Sequence, residues 1–360
     1  MMFYLKGFRF AGSLFFFLAF LSFRLAAQDS NLVSIIGVGD MMLGTNYPSR
    51  AYLPKDGGIS IFKDVDDILR DADVTFGNLE GTLFDGEGEP KKCRDSSVCY
   101  LFRTPASYVR HFYDAGFDVL SIANNHSGDF CATGRKGTKR VLKNAGIHFA
   151  GLKGTDETAV FEKNGVKFGF CAFAPNGGTC DLRDIPSAKK IVASLDSICD
   201  IVIVSFHGGA EGPDAQHVPK ENEECFGENR GDVHKFAHAV VDAGADVVFG
   251  HGPHVVRAVE LYQDRFIAYS LGNFATYSRM NISGITGYAP MAKIITDTTG
   301  AFLEGEIISA IQVKWQGTKL DPQHRAAKKI QELTASDFPS GELEITAEGK
   351  LTRRQIASSK

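Results

Sequence analysis

Short apolar or β-branched runs alternate with stretches of helical periodicity from residue 33 to about 274. That order predicts an α/β fold, because the runs fit strands and the 3.6-residue periodicity fits helices packed over them. Strands are expected at 33–38, 73–77, 117–123, 147–150, 166–173, 200–206 and 246–250, with a pair near 256–270. Helices are expected between them, at about 61–70, 133–145, 187–198 and 232–243. The best-marked helix opens at Thr104-Pro105, a cap followed by a first-turn proline, and ends at Gly116. Two polar loops, 85–100 and 208–231, interrupt the order, and loops of that length in a compact domain are commonly functional. After residue 280 the pattern turns to alternation: 301–313 reads as a hairpin, followed by a charged helix near 323–334 and a polar tail.

The first 27 residues differ from the rest. Lys6 and Arg9 precede an apolar run from Phe10 to Phe23, and Leu25-Ala26-Ala27 follows Arg24. That is the form of a secretory leader, cut before Gln28 or kept as an anchor. Residues 28–360 read as one domain, and with 44% hydrophobic residues the chain can bury a large core unaided. The whole chain carries 39 Lys and Arg against 43 Asp and Glu, and the leader holds only basic ones, so what remains is mildly acidic. Without a clustered cationic surface, binding to nucleic acid is not expected. An anionic substrate would have to be met locally, by metal or arginine. All seven cysteines follow the leader, in a chain expected to leave the reducing cytosol. Cys93 with Cys99 is the expected disulfide, and Cys180 with Cys225 the second choice. No Cys-x-x-Cys supports a thiolate metal site or a redox dithiol.

Five strand-like runs end directly in a metal-capable or acidic side chain. VSIIGVG leads into Asp40, VTFGNL into Glu80, FDVLSIA into Asn124, Asn125 and His126, IVIVSF into His207, and DVVFG into His251 with His254 three residues on. In open α/β sheets ligands gather outside the carboxyl ends of strands, so these residues are expected to converge. Imidazole, carboxylate and amide oxygen together suit manganese, iron or zinc better than magnesium or calcium. Two ions about 3.5–4 Å apart would clamp the oxygens of an in-line displacement. Gly37, Gly39, Gly44, Gly77, Gly81, Gly250 and Gly252 flank the set, where they let backbone approach closely or simply make turns. Asp129, three residues after His126, is placed to orient that imidazole. Arg103 and Asn273 are candidate substrate contacts, an arginine fork being suited to carboxylate or phosphate. His234 and His238, one helical turn apart, read as a solvated helix face.

The blocks GDMMLG, NLEGTL, GFDVLSIANNHSGDF, SFHGGAE, DAGADVVFGHGPHVV and IAYSLGNF, in that order over about residues 33–280, resemble the CapA family of poly-γ-glutamate capsule proteins, a branch of the calcineurin-like metallophosphoesterase superfamily. The resemblance implies a four-layer αββα sandwich with a metal centre at its edge. It implies Asp40, Glu80, Asn125, His207, His251 and His254 as ligands, Glu80 as the bridging acid, and His126 as general acid. The superfamily's Asp-x-His is here Asp40-Met41-Met42, and a thioether is a poor ligand for such ions. Gly208 stands where a tryptophan is common, and Gly252 where a second histidine is. The implied roles are a metal-dependent envelope enzyme acting on an anionic polymer, a phosphoesterase on a small envelope substrate, or a noncatalytic capsule-export subunit. A membrane capsule-synthesis complex is the implied partner, and the periplasm, cell envelope or exterior the implied location.

Overall fold

The computed structural model describes residues 32–93 and 99–354, so the expected leader lies outside the described residues. In chain order the first half contains β1 (Leu32–Met42), α1 (Asp66–Arg70), β2 (Val74–Leu79), β3 (Thr82–Leu83), β4 (Arg103–Thr104), α2 (Val109–Asp114), β5 (Val119–Ser121), α3 (Cys131–Asn144), β6 (His148–Ala150), β7 (Thr158–Lys163) and β8 (Val166–Phe173). There follow α4 (Ile185–Asp196), β9 (Ile201–His207), β10 (Glu223–Cys225), β11 (Glu228–Gly231), α5 (Val233–Val241), β12 (Val247–His251), β13 (Val259–Tyr262), β14 (Arg265–Ala268) and β15 (Asn273–Thr276). The last part holds β16 (Met291–Asp297), β17 (Phe302–Ile308), β18 (Ala310–Val313), β19 (Gly317–Leu320), α6 (Arg325–Asp337), β20 (Leu343–Ile345) and β21 (Lys350–Arg353).

Two large sheets carry the fold. One has nine strands in the order β20-β21-β17-β16-β1-β2-β5-β6, with β15 also paired to β1; the other runs β13-β14-β12-β9-β8-β7. Side-chain alternation decides what each face meets. On β2 and β8, Phe76 and Phe170 point into the gap between the sheets, where Phe76 stacks on Phe249 of β12 at 5.3 Å. Gly37 of β1 faces the same gap, and a side chain there would strike the Phe249 ring. Ile36 and Val38 turn the other way, into a cluster with Leu69 of α1, Phe112 of α2 and Leu142 of α3. On the far side of the second sheet, Phe173 and Phe206 meet Phe236 of α5, and Gly169 lies against Leu195 of α4. Helices, sheet, sheet and helices thus form the expected four layers.

The strands sit close to where the apolar runs place them. Helix α1 begins only at Asp66, because residues 58–65 turn irregularly beneath β18 and β19, with Thr318 donating to the Ile61 carbonyl. The expected hairpin over 301–313 is corrected: β17 pairs with β16 and β21, while β18 pairs with β19. The chain turns a corner at Ser309, so one alternating run serves two sheets. The polar tail contributes β20 and β21 to the nine-stranded sheet. Cys93 and Cys99 are bonded, whereas Cys180 and Cys225 are free thiols. Cys180 is buried in the main core near Cys171, and Cys225 lies on β10 beside Arg230 and Glu228, which corrects the second pairing. Among the described residues no helix is long and apolar enough to cross a membrane.

Candidate metal centre

β1 and β2 run parallel, as do β9 and β12, so their carboxyl ends share an edge within each sheet. Phe76, Asn78 and Glu80 fall on one side of β2 by the two-residue repeat, and Phe76 shows that this side faces the other sheet. By the same repeat His207 and His251, direct partners across β9 and β12, face the gap from opposite. Asp40, Glu80, His207 and His251 are all fully buried. His254, reached through a left-handed backbone turn (φ 58°), spans the two acids: its Nδ1 is 3.0 Å from Asp40 Oδ2 and its Nε2 3.7 Å from Glu80 Oε1. His251 Nδ1 lies 3.3 Å from Asp40 Oδ1. Asp40, Glu80 and His254 each offer an atom within 4.8 Å of the others.

The loop after β5 supplies the rest. Asn124 is spent internally, its Nδ2 donating to Asn78 Oδ1 and the Leu79 carbonyl, and its Oδ1 accepting the His126 N–H. That lock presents Asn125 and His126. The His126 Nδ1 lies 2.8 Å from Asp129 Oδ2, its ring packs tilted against Phe102 with centroids 4.3 Å apart, and its Nε2 is left 3.9 Å from Glu80 Oε1. Asp129 is itself held by the Phe102 N–H at 2.7 Å and by Lys91 Nζ at 2.5 Å.

Burying an unpaired polar atom costs about 1–3 kcal/mol, so such atoms need a reason. Glu80 Oε1 and Oε2, Asn125 Oδ1, His207 Nε2 and His251 Nε2 are buried without a hydrogen-bond partner among the described residues. Carboxylate, amide carbonyl and imidazole nitrogen are also the donor types of divalent-cation sites. The residues present therefore fit a metal. The electrostatics agree: burial pushes His207 well below the ordinary imidazole range, leaving it neutral. Burial, with the charge of Asp40 beside it, drives Glu80 well above the usual carboxylate range. Burial would also raise Asp40, but the His251 and His254 imidazoles set against it outweigh that and hold the carboxyl well below. For His254 burial opposes the charge, yet Glu80 and Asp40 prevail and push it up to about 10.

Two expected substrate contacts are otherwise engaged. Arg103 donates to Asn46 Oδ1 and the Gly86 carbonyl and lies over the Phe130 ring. Asn273 is fully buried, and its Nδ2 faces the carbonyls of His254, Asn281 and Thr286 at 3.2–3.4 Å, which fixes the His254 turn. Met42 Sδ accepts the Gly44 N–H, so the thioether has a partner inside the β1 turn. The two glycine departures explain each other. Gly252 (φ 117°) passes so close to Gly208 that a Cβ on it would stand 2.7 Å from the Gly208 carbonyl oxygen. A Cβ on Gly208 would meet Leu182 at 2.7 Å.

Sequence reasoning missed Asn78, Lys91 and Glu211. Asn78 Nδ2 donates to Asp40 Oδ1 at 2.8 Å, and its place two residues before Glu80 was the available signal. Lys91 also donates to the Asn125 carbonyl, from a loop with no pattern to announce it. Glu211, paired with Arg230 at 2.8 Å, adds negative charge felt by Glu80 and His254. Behind it Arg257, 1% exposed, makes a two-pronged bond to Glu223 at 2.6 and 2.8 Å.

The chain is similar to known proteins. The "Capsule biosynthesis protein CapA" of Bacillus anthracis is 27% identical over 265 residues, covering 69% of this chain and 60% of that protein. The "PGA biosynthesis protein CapA" of Bacillus subtilis is 28% identical over 266 residues, covering 70% and 65%. The chain thus spans under two thirds of the length of these relatives. Among solved structures, a putative 5'-nucleotidase from Staphylococcus aureus in complex with alpha-ketoglutarate aligns with a TM-score of 0.45 at 14% identity, over 85% of this chain and 58% of that one. The profile described as "Bacterial capsule synthesis protein PGA_cap" matches residues 34–278, and the chain belongs to that family.

Proposed function

We propose that this is an exported, metal-dependent hydrolase or transferase that acts on an anionic envelope polymer such as poly-γ-glutamate. The carrying observation is the group of buried, unpartnered carboxylate, amide and imidazole atoms on Glu80, Asn125, His207 and His251. With Asp40 and His254 these residues would hold two ions, of manganese, iron or zinc. When bound, such ions supply Lewis acidity to a scissile carbonyl or ester. The chain's own residues do the rest. Asp129 fixes His126 through Nδ1, leaving Nε2 as the atom that gives a proton to the leaving group. Phe102 shields one face of that ring from water.

An amide or ester substrate is preferred over a phosphodiester because Met42 replaces a metal-binding histidine and is turned into its own strand end. Metal content of the purified protein should be measured first. Poly-γ-glutamate and a generic phosphodiester are then offered to the wild type and to His126→Ala. The expected result is polymer cleavage or transfer by the wild type only, with little phosphodiester turnover. Equal behaviour of both proteins on every substrate, with metal still bound, would end the catalytic reading and favour a binding subunit of a capsule-synthesis complex.

A further inference from the structure

We infer that His234, His238 and Glu260 form a second divalent-metal site, separate from the strand-edge centre and tying α5 to β13. The expected solvated helix face is corrected by the packing. Both imidazoles are half-buried, with ring centroids 4.1 Å apart on one side of α5. His238 stacks on Tyr262 at 3.7 Å, and His234 lies parallel to the rings of Tyr269 and Phe338. Glu260 reaches them from β13: its Oε2 is 2.9 Å from His238 Nε2 and accepts the Tyr269 hydroxyl at 2.6 Å.

One ligand atom from each of the three residues lies within 4.8 Å of the others. Zinc binds nitrogen and oxygen at about 2.0–2.2 Å, so a small rotamer adjustment closes this triangle around an ion. Two imidazoles and one carboxylate, with a position left for water, are a donor set for zinc, and for copper or nickel by the same chemistry. The i, i+4 spacing fixes the imidazole pair, the stacked rings limit their rotation, and Tyr269 orients the carboxylate. The site is distinct in place as well as in residues. Helix α5 lies on the outer face of the six-stranded sheet, whereas Asp40 and Glu80 lie in the gap between the sheets.

Zinc alone is the probe. Metal-free protein is titrated calorimetrically as wild type, His234→Gln, His238→Ala, Glu260→Gln and Asp40→Ala, with far-UV circular dichroism confirming the fold. The expected result is that each of the three outer variants binds one equivalent fewer than wild type, while Asp40→Ala keeps that equivalent. Cobalt(II) bound to Asp40→Ala should show a visible absorption that vanishes when Glu260→Gln is added. Should His238→Ala misfold, the two glutamine variants decide alone, since each retains polar side-chain groups. Unchanged stoichiometry and affinity in folded His234→Gln and Glu260→Gln would overturn the site and leave a helix-to-strand hydrogen-bond network.

Discussion

Two buried charged regions adjoin in this protein, and they are built on opposite terms. In the Arg257–Glu223 pair each charge faces its opposite at hydrogen-bond distance, with Ala210 N–H on the acid and the Ala215 carbonyl on the base. At the strand edge, Glu80 has both oxygens without a hydrogen-bond partner among the described residues and shares a confined space with Asp40. The first arrangement is complete within the described residues and acts as a brace for the 208–231 loop. At the second, two buried acids have only the His254 imidazole between them, a costly arrangement that a bound cation would relieve. Burial alone therefore does not mark a functional group; what sets the strand edge apart is that several buried, unpartnered carboxylate, amide and imidazole atoms gather at one place.

The largest effect that would test this contrast is Asp40→Ala, which is expected to lose the strand-edge metal altogether, as elemental analysis after dialysis would show. Retention of the wild-type metal count would remove Asp40 from the ligands. Next, Arg257→Ala leaves Glu223 buried and uncompensated, and is expected to cost about 3–5 kcal/mol in urea unfolding. A cost below about 1 kcal/mol would mean that the pair braces nothing. Glu80→Gln should move the other way: metal is lost, yet the metal-free fold gains roughly 1–3 kcal/mol at neutral pH. The sign follows from the raised carboxyl, whose stability contribution is present at low pH and is lost as pH rises through its folded value. The gain should accordingly fade on acidification.

Smaller effects sharpen the picture. Asn78→Ala removes the amide that aims Asp40, and metal affinity should fall about 10–100-fold with the fold intact. Calorimetry gives the number, and an unchanged affinity would make Asn78 a packing residue. Finally, His254, pushed up to about 10, must shed its proton to bind an ion. Affinity should rise up to about tenfold per pH unit below that value, and binding should release protons when compared across buffers of different ionisation enthalpy. In the metal-free protein the same shift means that the His254–Asp40 pair stabilises fully below about 6.5 and is lost as pH rises through about 10.

Strands β1, β2, β5, β6, β8, β9 and β12 were legible because each is a largely apolar run between polar turns, and the acids and imidazoles at strand ends stood out by position. What escaped has physical reasons. Asn78 sits inside a strand run, where an amide looks like an interruption and not like a donor to Asp40. Lys91 and Glu211 act from loops whose paths are set by distant partners, so no local period announces them. His234 and His238 were placed on a correct helix but read as facing solvent, because the aromatic wall that half-covers them comes from Tyr262, Tyr269 and Phe338, far along the chain. The alternating run over 301–313 gave the right strand character and the wrong partners, because alternation records which side is buried and carries no information on which neighbour binds.

The pairing of β1 has a practical consequence for anyone trimming this protein. Its margin opposite β2 is shared, Leu32–Val38 joining β16 and Asp40–Met42 joining β15. A chain ended near residue 290 would keep all of the stretch matched by the family profile and still leave seven residues of that central strand bare. Such a fragment should form insoluble aggregates on expression, because an uncovered backbone margin recruits other chains. On this pairing the homologous stretch is not expected to fold as a unit.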